Sequence, residues 1–210
     1  MGRYLGSSCK YCRREGMKLM LKGTRCDTAK CAVERRERHM APGMHGWRRG
    51  RHSDYGVRLR EKQKVKRFYG LLDKQFRSYF AKAERMKGNT GVNLLGLLEM
   101  RFDNVIYKLN FASSRKAARQ LIAHGHIHVN GRKVNISDMA MKVGDKITLK
   151  SSDKSRKAVK EQLASNPNFT PQAWLQLNAD KPEATIVGFP TREDVQLVVE
   201  EQLVVEFCSR

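Results

Sequence analysis

Four cysteines near the N-terminus, Cys9, Cys12, Cys26 and Cys31, constrain this chain more than any other feature. Their C-x2-C and C-x4-C spacing lets each pair of thiols converge from one tight turn, and two such pairs complete the tetrahedral shell that structural zinc prefers. Gly6, Gly16 and Gly23 supply bends around them. Four thiolates leave no open position for water, so one zinc ion held there supports structure and does no chemistry. Reduced, unmetallated thiols are the plainer alternative, but a segment this crowded with Arg and Lys is a poor surround for core cysteines. Disulfides belong to oxidising compartments, and residues 1–30 hold no signal-peptide pattern, so the chain reads as cytoplasmic. His39 or His45 replacing one thiol is a further alternative, which Cys31 makes unnecessary. Cys208 sits in the apolar run Leu203-Val204-Val205-Glu206-Phe207 and reads as a small packed residue.

Charge narrows the function. The 210 residues carry 42 Lys and Arg against 21 Asp and Glu, a net +21, and such an excess calls for a polyanion. Residues 1–70 hold 20 basic and 6 acidic side chains, 71–150 hold 15 and 6, and 151–210 hold 7 and 9. The first two thirds therefore face the polyanion, and the tail packs on the rest of the chain or on a neighbouring protein. A membrane is not expected as partner, because no apolar run reaches 18 residues and Met1-Gly2-Arg3 does not open a lipidation motif. Neither is a catalytic site or a small-molecule substrate, since G-x-G-x-x-G, P-loop, G-x-S-x-G and H-E-x-x-H motifs are absent. Glu200, Glu201 and Glu206 read as solvent- or partner-facing carboxylates, and His124, His126 and His128 as surface histidines alternating along a strand.

Residues 41–56 are rich in Gly and Arg and lack periodicity, which predicts an extended loop ordered by a partner. Val65, Phe68, Leu72, Phe76, Tyr79, Ala83 and Met86 then recur at intervals of three and four, predicting one amphipathic helix over residues 57–87, weakened at Gly70 and ended by Gly88. Its first turns carry Arg58, Arg60, Lys62, Lys64, Lys66 and Arg67, a basic ridge suited to phosphates. Asn93 is placed to cap a second helix running to Met100. Ser113 or Ser114 caps a third, Arg115 to His124, which Gly125 ends and whose exposed side is Arg115, Lys116 and Arg119. Ile127 and Val129 alternate with histidines, and Asn130-Gly131 marks a hairpin turn before Arg132 and Lys133. A strand over Ile147 to Leu149 follows the turn at Val143 to Lys146. In the tail, Trp174 to Leu177, Ile186 to Pro190 and Leu203 to Val205 are short enough for strands, Thr191 to Asp194 starts a short helix, and Ser151 to Lys160 is a solvated helix start or linker.

The fold class that results is α+β. An N-terminal zinc-binding segment (1–45) precedes a basic loop and helical domain (46–100, with 190–210 packing back on it), then an RNA-binding domain of helices packed on an antiparallel sheet with a strand-rich continuation (101–189). Ser114-Arg115, Ala118-Arg119-Gln120-Leu121, His124-Gly125-His126-Ile127 and Val129-Asn130-Gly131 resemble the small RNA-binding fold of many ribosome-associated proteins and RNA-modifying enzymes. More specifically, Ala41-Pro42-Gly43, His45-Gly46, Ser53-Asp54-Tyr55-Gly56, Leu59-Arg60-Glu61-Lys62-Gln63-Lys64, Lys87-Gly88-Asn89-Thr90-Gly91 and Asn93-Leu94-Leu95 resemble bacterial-type small-subunit ribosomal protein four, in its four-cysteine, zinc-bearing branch.

That resemblance covers nearly the whole chain. It implies binding to a five-way junction in the 5′ domain of small-subunit rRNA, nucleation of subunit assembly, a share in decoding accuracy and contact with ribosomal protein five of the small subunit. It implies a position beside the channel by which mRNA enters, where Arg48, Arg49 and Arg51 match the family's mRNA-contacting cluster, although Trp47 and Gly50 depart from the commoner pattern. Repression of the protein's own mRNA is implied by some relatives. The competing reading is a zinc-containing transcription or antitermination factor; C2H2 spacing and a recognition helix after the cysteines are absent, which ranks it second. An RNA-modifying enzyme would need a catalytic domain for which no residues remain.

Overall fold

The computed structural model describes residues 4–35, 40–47, 50, 53–166, 169–178 and 183–209, with 153, 154 and 158 described by backbone alone. In chain order the elements are α1 (Cys9–Glu15), α2 (Asp54–Phe68), α3 (Asp73–Glu84), α4 (Thr90–Glu99), α5 (Phe102–Lys108), α6 (Arg115–Ala123), β1 (Ile127–Val129), β2 (Arg132–Lys133), β3 (Lys146–Leu149), α7 (Asp153–Ala164), β4 (Leu175–Leu177), β5 (Ala184–Ile186) and α8 (Glu201–Cys208), with a 3-10 turn over Gly23–Asp27. Two compact units result: Met1–Leu94 with Gln196–Arg210, and Leu95–Val195. The division falls inside α4 and not after Met100. Among the described residues no helix is long and apolar enough to cross a membrane.

In the first unit, the expected helix over 57–87 is two helices. Gly70 adopts φ 63, Leu71 N–H returns to Lys66 O at 2.8 Å, and this left-handed closure ends α2. The apolar spacing runs through the break because both helices bury a face, Val65 and Phe68 from α2 and Phe76, Tyr79, Phe80 and Ala83 from α3. Helix α2 also begins inside the expected loop, where Ser53 Oγ accepts Gly56 N–H at 3.2 Å and Asp54 favours the positive helix end. Helix α4 is capped by Asn89, whose Oδ1 accepts the Gly91 and Val92 amides at 2.9 and 3.3 Å. Asn93, the expected cap, instead donates to Lys87 O at 3.2 Å.

The run Leu203 to Val205, expected as a strand, lies in α8. That helix packs along α2, with the Tyr55 and Phe207 rings 5.4 Å apart and Arg58 on Glu206 at 2.7 Å. Val204 and Phe207, three apart, form its packed side, so tertiary burial overrides the β-preference of adjacent valines.

The second unit is a five-stranded antiparallel sheet of order β2-β1-β3-β5-β4. Asn130 (φ 49) and Gly131 (φ 77) form the primed turn that pairs Val129 with Arg132. Ser114 Oγ accepts Ala117 N–H at 3.3 Å and caps α6. Phe102, Val105, Ile106 and Leu109 of α5 and Ala118 and Ile122 of α6 pack with Ile127, Val129, Ile147, Trp174, Leu175 and Ile186 in one buried cluster. Residues 191–194 form a turn and no helix. The Asp194 carboxylate holds Thr191 N–H and hydroxyl at 2.8 Å each, while its carbonyl, which a helix would give to a later amide, takes Lys108 and Gln172 at 3.2 and 2.7 Å.

Candidate nucleic-acid interface and cysteine recess

The predicted basic ridge of α2 is engaged internally. Arg58 pairs with Glu206, Arg60 with Glu15 at 3.3 Å, Lys62 and Lys66 with Asp73 at 2.8 and 3.5 Å, Lys64 with Glu61, and Arg67 with Glu15. Lys62 is buried, its ammonium 5.1 Å from the Phe207 ring. The Lys62 hydrogen bond is the main reason the Asp73 carboxyl titrates below its ordinary range. Four carboxylates from α1, α2, α3 and α8 thus meet six cations, so α2 ties these helices together as well as carrying charge. Arg48, Arg49 and Arg51 lie outside the described residues, as does His39.

In the second unit Arg115 is a correction to the expected exposed face of α6. It is 5% exposed; Asn104 Oδ1 accepts its Nε at 2.8 Å, and its guanidinium lies 4.5 Å over the Tyr107 ring. Lys116 is exposed. Arg119 donates from Nε to Asp103 Oδ2 at 2.6 Å, and Asp103 also holds Arg101 through two contacts of 3.1 Å. Arg132 and Lys133 are exposed on β2, at one edge of the sheet. Exposed cations that sequence reasoning passed over stand nearby in the chain: Lys146 and Lys150 at the two ends of β3, and Lys142 before it. Strand alternation was the available signal, since Lys146 and Thr148 oppose the buried Ile147 and Leu149.

Cys9, Cys12, Cys26 and Cys31 line one recess with Ser8, Leu21, Lys22, Arg25, Ala32 and Val33, and all four are unbridged thiols. Gly16, at φ 69, closes α1 and turns the chain back toward Leu19. The Leu19 amide hydrogen-bonds to the Cys12 thiol, and Lys22 N–H donates to Cys26 Sγ at 3.4 Å. Burial is the leading cause that pushes both thiols up, so thiolates there call for a compensating cation. Among the described residues no group of three or more His, Cys, Asp or Glu stands in metal-holding geometry. The four thiols line one recess, so the donor types, though not their placement, suit a soft divalent ion. His45 is exposed and does not line the recess.

Helices on an antiparallel sheet, with exposed cations along its edge, define a protein built on an RNA-binding module. Residues 100–147 match the S4 domain, and residues 3–99 match the family described as ribosomal protein S4/S9 N-terminal domain. Over 210 residues and the full length of both chains, the protein is 54% identical to small ribosomal subunit protein uS4 of Halothermothrix orenii and 53% identical to that of Thermodesulfovibrio yellowstonii. The corresponding protein of Clostridioides difficile is 51% identical over the same span. The chain belongs to the small ribosomal subunit protein uS4 family.

Proposed function

We propose that the chain is a structural constituent of the small ribosomal subunit that binds the 5′ domain of its rRNA and nucleates assembly. Full-length similarity to proteins named for that subunit carries the reading. The family is one of ribosomal proteins and not an enzyme class. A net charge of +21 spread over several rigid elements suits a folded RNA, which is gripped through phosphates and 2′-hydroxyls and not by one base-reading helix. The test is binding to a transcript of the 5′ domain across a salt series, with equal-mass duplex DNA as competitor. Tight binding that DNA does not displace and that weakens steeply with salt is expected. Equal preference for DNA would overturn it in favour of a transcription factor.

Within the subunit, the reading extends to decoding accuracy, contact with ribosomal protein five and a place where mRNA enters, with Arg48, Arg49 and Arg51 as the mRNA-facing residues. Replacing all three by Ala should slow translation through hairpin-containing mRNA and lower rRNA affinity modestly; unchanged hairpin translation removes that role. Cys9, Cys12, Cys26 and Cys31 would hold one structural zinc, which would cross-link α1 to the 3-10 turn and the segment after it. Elemental analysis of the purified chain should give one zinc, and Cys26→Ser should lose it.

A further inference from the structure

Glu15 is a carboxylate whose side chain is withdrawn from solvent and onto which two arginines of α2 converge. It ends α1 with its side chain 1% exposed, and its Oε1 takes Arg60 at 3.3 Å and, more closely, Arg67, both from α2. Arg67 also lies 4.7 Å over the Tyr11 ring. Tyr11 and Glu15, one turn apart on α1, therefore grip the same guanidinium from two sides. Glu15 Oε2 is buried without a hydrogen-bond partner, so the two arginines alone orient the carboxylate. Burial, the leading cause, holds the Glu15 carboxyl above its ordinary range, and the Arg60 and Arg67 guanidiniums offset only part of that. A phosphate-binding arginine needs its fork open to the anion, and Arg60 and Arg67, with side chains 27% and 19% exposed, each turn Nη1 inward to Glu15.

We propose that Glu15 is a positioning residue that withdraws Arg60 and Arg67 from the polyanion and uses them to fix the cysteine-bearing helix α1 on α2. Charge offered to RNA by this unit then comes from other side chains, among them the exposed Lys22 and Arg25 at the cysteine recess. The inference rests on the rRNA-binding reading above. Sequence alone assigned Arg60 and Arg67 to phosphates because their shared carboxylate lies far back in the chain.

The experiment measures, for the zinc-loaded full chain, the log–log salt slope of binding to the rRNA 5′-domain transcript, together with thermal melting. The triple variant E15Q/R60Q/R67Q removes the cluster without leaving an uncompensated buried charge. It should keep the wild-type slope, whereas K22Q/R25Q should be shallower by about 0.7–0.9 per residue. Glu15→Gln alone should steepen the slope by a similar increment for each arginine it frees; a role in folding alone would lower the melting temperature and leave the slope unmoved. A shallower slope in the triple variant, or an unmoved one in E15Q, overturns the proposal. If E15Q does not fold, the triple variant decides. Loss of rRNA binding by the wild-type chain would fail the functional reading first. Melting of E15Q, R67Q and their double variant would then judge the docking role, non-additive losses supporting it and additive ones overturning it.

Discussion

Buried charge makes single residues of the second unit sensitive. Arg101 is 2% exposed and Asp103 1%, and Asp103 is shared between Arg101 and Arg119 while Asp138 meets the far side of Arg101. Removing Asp103 takes two contacts from the buried Arg101 and one from Arg119 while Asp138 still meets Arg101, so Asp103→Ala should lower stability by about 3 kcal/mol, the lower end for a broken buried pair. A denaturant midpoint near that of the wild type would show the network to be energetically idle. Lys108 gives a pH signature. Its ammonium is buried near Glu99 at 3.9 Å, and desolvation, the leading cause, holds it below its ordinary value of 10.5. With the folded pKa lowered, the unfolded chain binds more protons between the two values, and stability rises with pH across that window. The stability difference between wild type and Lys108→Met should therefore move in favour of the wild type from neutral pH toward pH 10.5. A pH-independent difference in denaturant midpoints would contradict this.

At the scale of elements, ends were more legible than partners. Ser114, Gly125, Asn130 and Gly131 act within a few residues of themselves, and each stands where its chemistry places it. The break between α2 and α3 was readable only as a weakness, because Gly70 carries the left-handed φ while the apolar spacing on either side stays in phase. Gly70→Ala should cost about 1–2 kcal/mol through that φ, seen as a drop in melting temperature with no change in far-UV helicity. An unchanged melting temperature would mean the turn tolerates a Cβ. Helix α8 went unread because Leu203, Val204 and Val205 favour a strand in isolation, and folding against α2 is what selects the helix.

Over the whole molecule, the second unit and the N-terminal segment differ in what holds them. The second has a continuous apolar cluster, whereas residues 4–35 contribute few buried apolar side chains beyond Leu19 and the cysteines. A segment so polar gains little from burial, and the proposed zinc would supply the missing cross-link. Chelation of a zinc-loaded preparation should therefore melt the region around α1 while amide exchange in β1, β3 and β5 stays slow. Loss of sheet protection on chelation would instead show the chain to unfold as one cooperative body.

Cysteine spacing, charge and local punctuation by themselves determined the class of protein: a thiol-bearing, strongly cationic chain that includes helices on a small antiparallel sheet, made for a polyanion. These features act through neighbours in the chain, so order along the sequence is enough to read them. Only the tertiary structure decided which cations stay available. Glu15, Asp73 and Glu206 reach Arg60, Arg67, Lys62 and Arg58 from other helices, and Asn104 and Tyr107 enclose Arg115. Whether an arginine faces solvent or a buried carboxylate depends on what folding brings beside it, and the identity of the residue alone does not record that.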